Sequence, residues 1–158
     1  MLYLSILEYL VYHGGDIHEK DDQHFTSLMF ASIHNKIALV KYLVEKGVNI
    51  NEQDIHHRSA LSYALESRNM EIIEYLVEKG ANVDEKDTSG YTVMTYSADV
   101  GNLSMLKTLL DRGADINDKD SYGHSTLMYA LKNEHYDIIT YLIEQGADIY
   151  EKDKDGNS

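Results

Sequence analysis

Apolar positions recur along this chain at one spacing, and the spacing itself repeats. In NMEIIEYLVEKG, from 69 to 80, Ile72, Ile73, Leu76 and Val77 form one stripe of a helix while Glu71, Glu74 and Glu78 turn elsewhere. Gly80 ends the stretch, because glycine enters a left-handed cap without strain. The same phrase is written five times, every 33 residues: YLVYHGGDIHEKD from 9, YLVEKGVNINEQD from 42, YLVEKGANVDEKD from 75, TLLDRGADINDKD from 108 and YLIEQGADIYEKD from 141. Between the copies lies a shorter segment opening on a hydroxyl: Thr26, Ser59, Thr92 and Ser125. Such a side chain accepts from the free N–H groups of a first helical turn. Leu28, Leu61, Met94 and Leu127 follow two places later, and Ala31, Ala64, Ser97 and Ala130 are small enough to let helices approach closely. Each unit therefore predicts a helix, a short turn, a second helix and a hairpin-like loop.

With Asp21 as position 1 of a unit, Asp54, Asp87, Asp120 and Asp153 hold the same position in the units that follow. Position 27 is Gly14, Gly47, Gly80, Gly113 and Gly146, and position 23 is Leu10, Leu43, Leu76, Leu109 and Leu142. A fixed period of this size marks a solenoid in which each unit leans on its neighbours. One domain is expected over 1–158: a half unit at 1–20, full units at 21–53, 54–86, 87–119 and 120–152, and the start of another at 153–158.

These residues carry a resemblance across essentially the whole chain. DSYGHSTLMYA from 120, with GADI from 113 and 146, resembles the signature of the ankyrin-repeat family. The Pro and His of the family tetrapeptide are absent: the segment reads TSLM at 26, SALS at 59, TVMT at 92 and STLM at 125. Proline at the first helical position mainly pre-sets backbone angles, so its loss weakens a helix start rather than the fold. The fold class implied is an all-α ankyrin-repeat solenoid of helix-turn-helix units joined by β-hairpin-like loops.

Composition narrows the function classes. A formal net charge of −13 argues against nucleic acid as a partner, since displacing counterions needs a basic face. Zero cysteines leave no disulfides or thiolate metal sites, and a cytoplasmic location is the default expectation. The apolar opening MLYLSILEYLVYHGG lacks a basic flank, carries Glu8 and is too short to span a bilayer, so neither a signal peptide nor a membrane partner is expected.

Tempting chemical motifs dissolve against the period. EKDKDG at 151 matches the opening of a calcium loop, yet EKDTSG at 85 and DKDSYG at 118 are the same inter-repeat turn. Asn102-Leu103-Ser104 is a glycosylation triplet with nothing else pointing to secretion. No phosphate-cradling loop, HExxH or nucleophile elbow occurs, so a non-enzymatic protein without cofactor or metal is expected. His18, His24, His56 and His57 fall in loops. His24 and His57 share position 4, where histidine is read as filling a turn that needs a positive φ. Tyr63, Tyr96 and Tyr129 share position 10 and Tyr9, Tyr42, Tyr75 and Tyr141 share position 22, which reads as structural ladders with half-buried rings and wet hydroxyls.

The resemblance implies where to look for a partner site: a concave groove lined by positions 2, 3, 5, 13 and 14. Those positions hold three acids, Asp22, Glu66 and Asp99, against two bases, Arg58 and Lys132, so most of the negative charge lies elsewhere. The groove residues Phe25, Ile55, His56, Arg58, Tyr91, Tyr122 and His124 are the candidate partner-binding set, suited to a protein or peptide of mixed apolar and polar character rather than a polybasic tail. Within it, Tyr91 and Tyr122 are expected to flank one pocket with Arg58 beyond Tyr91. The alternative is a structural spacer within a longer array. The last unit keeps the interior residues Leu127, Leu131, Ile138, Ile139 and Leu142, and 1–13 reads as a second helix without its first, so end-to-end self-association and fraying at both ends are further expectations.

Overall fold

Every predicted stripe between 27 and 144 folds as a helix. The computed structural model describes residues 15–157, and among these it contains eight helices in four pairs. They are α1 Ser27–Ile33, α2 Ile37–Glu45, α3 Ala60–Glu66, α4 Met70–Glu78, α5 Val93–Val100, α6 Leu103–Asp111, α7 Thr126–Lys132 and α8 Tyr136–Glu144. Two antiparallel bridges, Lys20 with Thr26 and Lys119 with Ser125, frame the turns ahead of α1 and α7 and give those loops their hairpin character. The first half unit, with Tyr9, Leu10 and Gly14, lies outside the described residues apart from its tail at 15–20.

The chain divides into two compact units, Met1–Asn82 and Val83–Ser158. In the first, α1 packs on α2 and α3, and α4 packs on α2 and α3. In the second, α5 packs on α6 and α7, and α7 packs on α8. The leucines at position 23, Leu43, Leu76, Leu109 and Leu142, are all 0 % exposed, and Ala31, Ala64, Ser97 and Ala130 are fully buried with them. Small side chains there let the first helices approach closely, and the stripes of the second helices close the cores.

Local chemistry sets the helix ends. Thr26, Ser59, Thr92 and Ser125 each accept from the backbone N–H three residues on, at 3.2–3.4 Å. Asn69 and Asn102 cap α4 and α6 through their side-chain oxygens. The second helices end on Gly47, Gly80, Gly113 and Gly146 at positive φ, as the sequence leads one to expect. The first helices end on a left-handed residue too, and here only one of four is glycine. Gly101 is joined by Asn35, Arg68 and Glu134 with φ of 52–58°. Asparagine tolerates this region, while arginine and glutamate sit there under strain.

Candidate functional site

Each loop between helix pairs is built on the aspartate at position 1. Asp54 Oδ1 accepts from the backbone N–H of His56 at 2.8 Å and of Arg58 at 2.9 Å. Asp21, Asp87, Asp120 and Asp153 accept in the same way from the residues two and four places on. An acceptor-only carboxylate holding two N–H groups forces the chain into a tight turn. Position 4 then takes a left-handed conformation in every turn: Gly90, Gly123 and Gly156, with His24 at φ 58° and His57 at φ 60°. The histidines thus fill turns of positive φ, as read from their shared register. Adjacent turns are tied by backbone, Ile55 N–H donating to Gln23 C=O in the first unit, and Ser121 N–H to Ser89 C=O and Lys154 N–H to Tyr122 C=O in the second.

The second carboxylate oxygen carries a feature that the sequence did not disclose. Tyr63 donates its hydroxyl to Asp54 Oδ2 at 2.6 Å, and Tyr129 donates to Asp120 Oδ2 at 2.6 Å. Both tyrosines and both aspartates are buried. The expectation of wet hydroxyls is therefore corrected at Tyr63 and Tyr129: each ring reaches back from the first helix over its own turn and seals the oxygen that the turn leaves open. Burial pushes the Asp54 and Asp120 carboxyls up, but the tyrosine hydroxyls and the N–H donors outweigh it and both end below the ordinary carboxylate value. Burial and the neighbouring carboxylates push the Tyr63 and Tyr129 hydroxyls well above theirs. The first described turn lacks this device, since Phe30 occupies position 10 and Asp21 is exposed. By contrast Tyr42, Tyr75 and Tyr141 at position 22 are half-buried as expected, with Lys46, Lys79 and Lys107 over their rings.

The candidate residues divide by environment. In the first unit, Phe25 is half-buried with its ring edge-on to Tyr63 at 5.1 Å. Arg58 donates twice to Asp54 Oδ2, at 3.0 and 3.1 Å, stands 3.7 Å from Glu66 and covers the Tyr63 ring at 4.6 Å. Ile55 and His56, at the turn tip, are exposed, Ile55 by 46 %. In the second unit, Tyr91 is half-buried against Tyr129, 4.9 Å between ring centroids. His124 is part-exposed, its Nδ1 3.1 Å from Asp120 Oδ2 and its ring 5.8 Å from Tyr129. Tyr122, next to it, is 62 % exposed. Position 5 therefore supplies side chains that lie over the buried tyrosines, whereas Ile55 at position 2 and Tyr122 at position 3 project apolar surface into solvent.

A family model described as ankyrin repeats, in three copies, matches residues 3–87 and again residues 82–153. The chain belongs to the ankyrin-repeat family. No curated protein matches it. Ankyrin repeats are in general protein–protein interaction modules. Among the described residues of this ankyrin protein, no helix is long and apolar enough to cross a membrane. No group of three or more histidine or carboxylate side chains is arranged there to hold a metal ion.

Proposed function

We propose that this ankyrin-repeat protein is a non-enzymatic interaction module of the cytoplasm that binds a protein or peptide of mixed apolar and polar character through its turn tips. The observation that carries the reading is the pairing of rigid turns with exposed apolar tips, Ile55 beside His56 in the first unit and Tyr122 beside His124 in the second. A tip whose backbone is already fixed by an aspartate and by the neighbouring turn loses little conformational entropy on binding, so its apolar contact converts efficiently into affinity. Tyrosine and arginine are enriched at binding hot spots. Arg58, Tyr91 and Phe25 border the tips and contribute their exposed edges, while their inner faces are committed to Tyr63 and Tyr129.

The test is a partner captured with the wild-type protein, purified and titrated against Ile55→Ser and Tyr122→Ala. Each is expected to weaken binding by more than about 1 kcal/mol while the melting temperature stays nearly unchanged. Unchanged affinity for both variants would remove the tips from the binding surface. A second reading, a segment of a longer array or a self-associating chain, draws support from the large apolar side chains exposed in and after the last helix pair: Leu131, Tyr136, Ile143, Ile149 and Tyr150. Sedimentation velocity distinguishes the two, since self-association through that face gives a concentration-dependent rate that Ile143→Glu abolishes.

A further inference from the structure

We propose that His124 is a proton-operated clasp between two successive turns, which regulates the Tyr122 tip of the binding surface put forward above. The inference rests on that reading only for its consequence; the clasp itself stands on the geometry of the second unit.

The His124 ring lies between two carboxylates. Its Nδ1 is 3.1 Å from Asp120 Oδ2, in the turn that His124 belongs to, and its Nε2 is 3.8 Å from Asp153 Oδ2, in the next turn. A carboxylate only accepts, so Nδ1 carries a proton whenever that bond is made. The neutral ring then turns the Nε2 lone pair toward Asp153. Protonation converts the same atom into a donor, and the ring joins the two turns without moving far. Asp153 in turn fixes the loop after it: its Oδ1 accepts from the N–H groups of Asp155 at 2.9 Å and Asn157 at 2.8 Å, and its Oδ2 accepts from the Asn157 side chain. The neighbouring Lys154 N–H donates to the carbonyl of Tyr122. Closing the clasp therefore tightens both sides of the exposed Tyr122.

The other repeats show what the clasp replaces. At the same position Arg58 holds Asp54 with a permanent charge and Asn157 holds Asp153 with none. Imidazole is the side-chain type in this series whose charge depends on the proton concentration near neutrality. The groups around His124 come from three elements. Asp120 is on its own turn, its Oδ2 shared with the Tyr129 hydroxyl from α7, and Tyr122 sets its ring 6.2 Å away. Asp153 stands on the following turn with Asp155 and Lys154 beside it. Lys132 at the end of α7 holds the register position of Glu66, the acid that faces Arg58. Both aspartates stay ionised through the range in which an imidazole titrates. Asp153 is held below the ordinary 3.8 by its bonds to the Asn157 side chain and backbone, and Asp120 is lowered because its hydrogen bonds outweigh burial. The clasp is thus closed when the imidazole carries a proton on both nitrogens and open when Nε2 carries none.

Amide hydrogen exchange at Asp155, Gly156 and Asn157, corrected for the intrinsic pH dependence, reads the clasp in the free protein. Protection is expected to rise about two- to fivefold between pH 8 and pH 5.5, the range of an exposed charge pair. His124→Gln and Asp153→Asn should each make it flat with pH. Asp153→Asn retains the Oδ1 acceptor that builds the turn, so it keeps the test valid if the first variant disturbs folding. A flat wild-type profile, or the same pH response in both variants, overturns the proposal. Because no partner is present, failure here leaves the binding surface untouched, and failure of partner binding leaves the clasp measurable.

Discussion

Removing one oxygen from Tyr63 isolates the buried turn lock. Tyr63→Phe keeps the ring against Phe25 and Arg58 and deletes only the hydroxyl that donates to Asp54 Oδ2 at 2.6 Å. Tyr63 is 3 % exposed and Asp54 5 %, so water has little access to take the lost donor's place. A hydrogen bond to a charged group contributes about 1.5–3 kcal/mol, more than a neutral pair. Asp54 Oδ2 still keeps both Arg58 donors in the variant, so the carboxylate is not stranded and the loss falls in the lower half, about 1.5–2 kcal/mol. Equilibrium urea denaturation followed by circular dichroism measures it. A double-mutant cycle with Asp54→Asn then assigns it to the pair, with an expected coupling above about 1 kcal/mol. Both a Tyr63→Phe loss and a coupling below about 0.5 kcal/mol, the scale of an ordinary surface change, would refute the lock.

Leu76→Ala empties a fully buried position in α4 and should cost about 2–5 kcal/mol in the same denaturation experiment. Glu134→Gly relieves a left-handed glutamate at φ 58° after α7, and thermal melting should show a gain of about 0.5–1 kcal/mol once glycine's extra unfolded-state entropy is subtracted. Acid titration should expose Asp54 and Asp120. Their folded carboxyls are depressed, so their contribution is complete above the unfolded value near ~3.9 and is lost as pH falls through the lower folded values. Wild type should therefore lose stability below about pH 4 more steeply than Asp54→Asn does, as followed by urea midpoints at successive pH values.

Much of this architecture was legible because it is written locally. A hydroxyl three residues before the N–H it accepts from, a glycine at a helix end and a leucine on every stripe are signals within one turn of chain, and Thr92, Gly80 and Leu76 behave as their positions foretell. The left-handed histidines His24 and His57 were legible by register, since glycines hold the same position in later repeats. The Asp54–Tyr63 and Asp120–Tyr129 locks were not, because nine residues separate the partners and only the folded turn points one at the other. A signal did exist: tyrosine at position 10 follows aspartate at position 1 in three of the full repeats, with phenylalanine in the remaining one. The same blindness affected the candidate site. Arg58 and Tyr91 read as open recognition residues until the structure set them over buried tyrosines, whereas Ile55 and Tyr122 are as exposed as a turn tip allows.

The division of labour inside each turn has a consequence for how such a protein can diversify. At Asp54 and at Asp120 both carboxylate oxygens are occupied by the turn's own backbone and by positions 5 and 10. At positions 2 and 3 the backbone alone does the holding, through the N–H of Ile55 or Ser121 and the carbonyl of Gln23 or Ser89. Selection acting on the side chains at 55, 56, 121 and 122 is thereby uncoupled from selection on folding. If the turn tips are the binding surface proposed above, drift there changes what is recognised at almost no cost in stability, and a randomised library confined to those four codons would sample new specificities while nearly every member still folds.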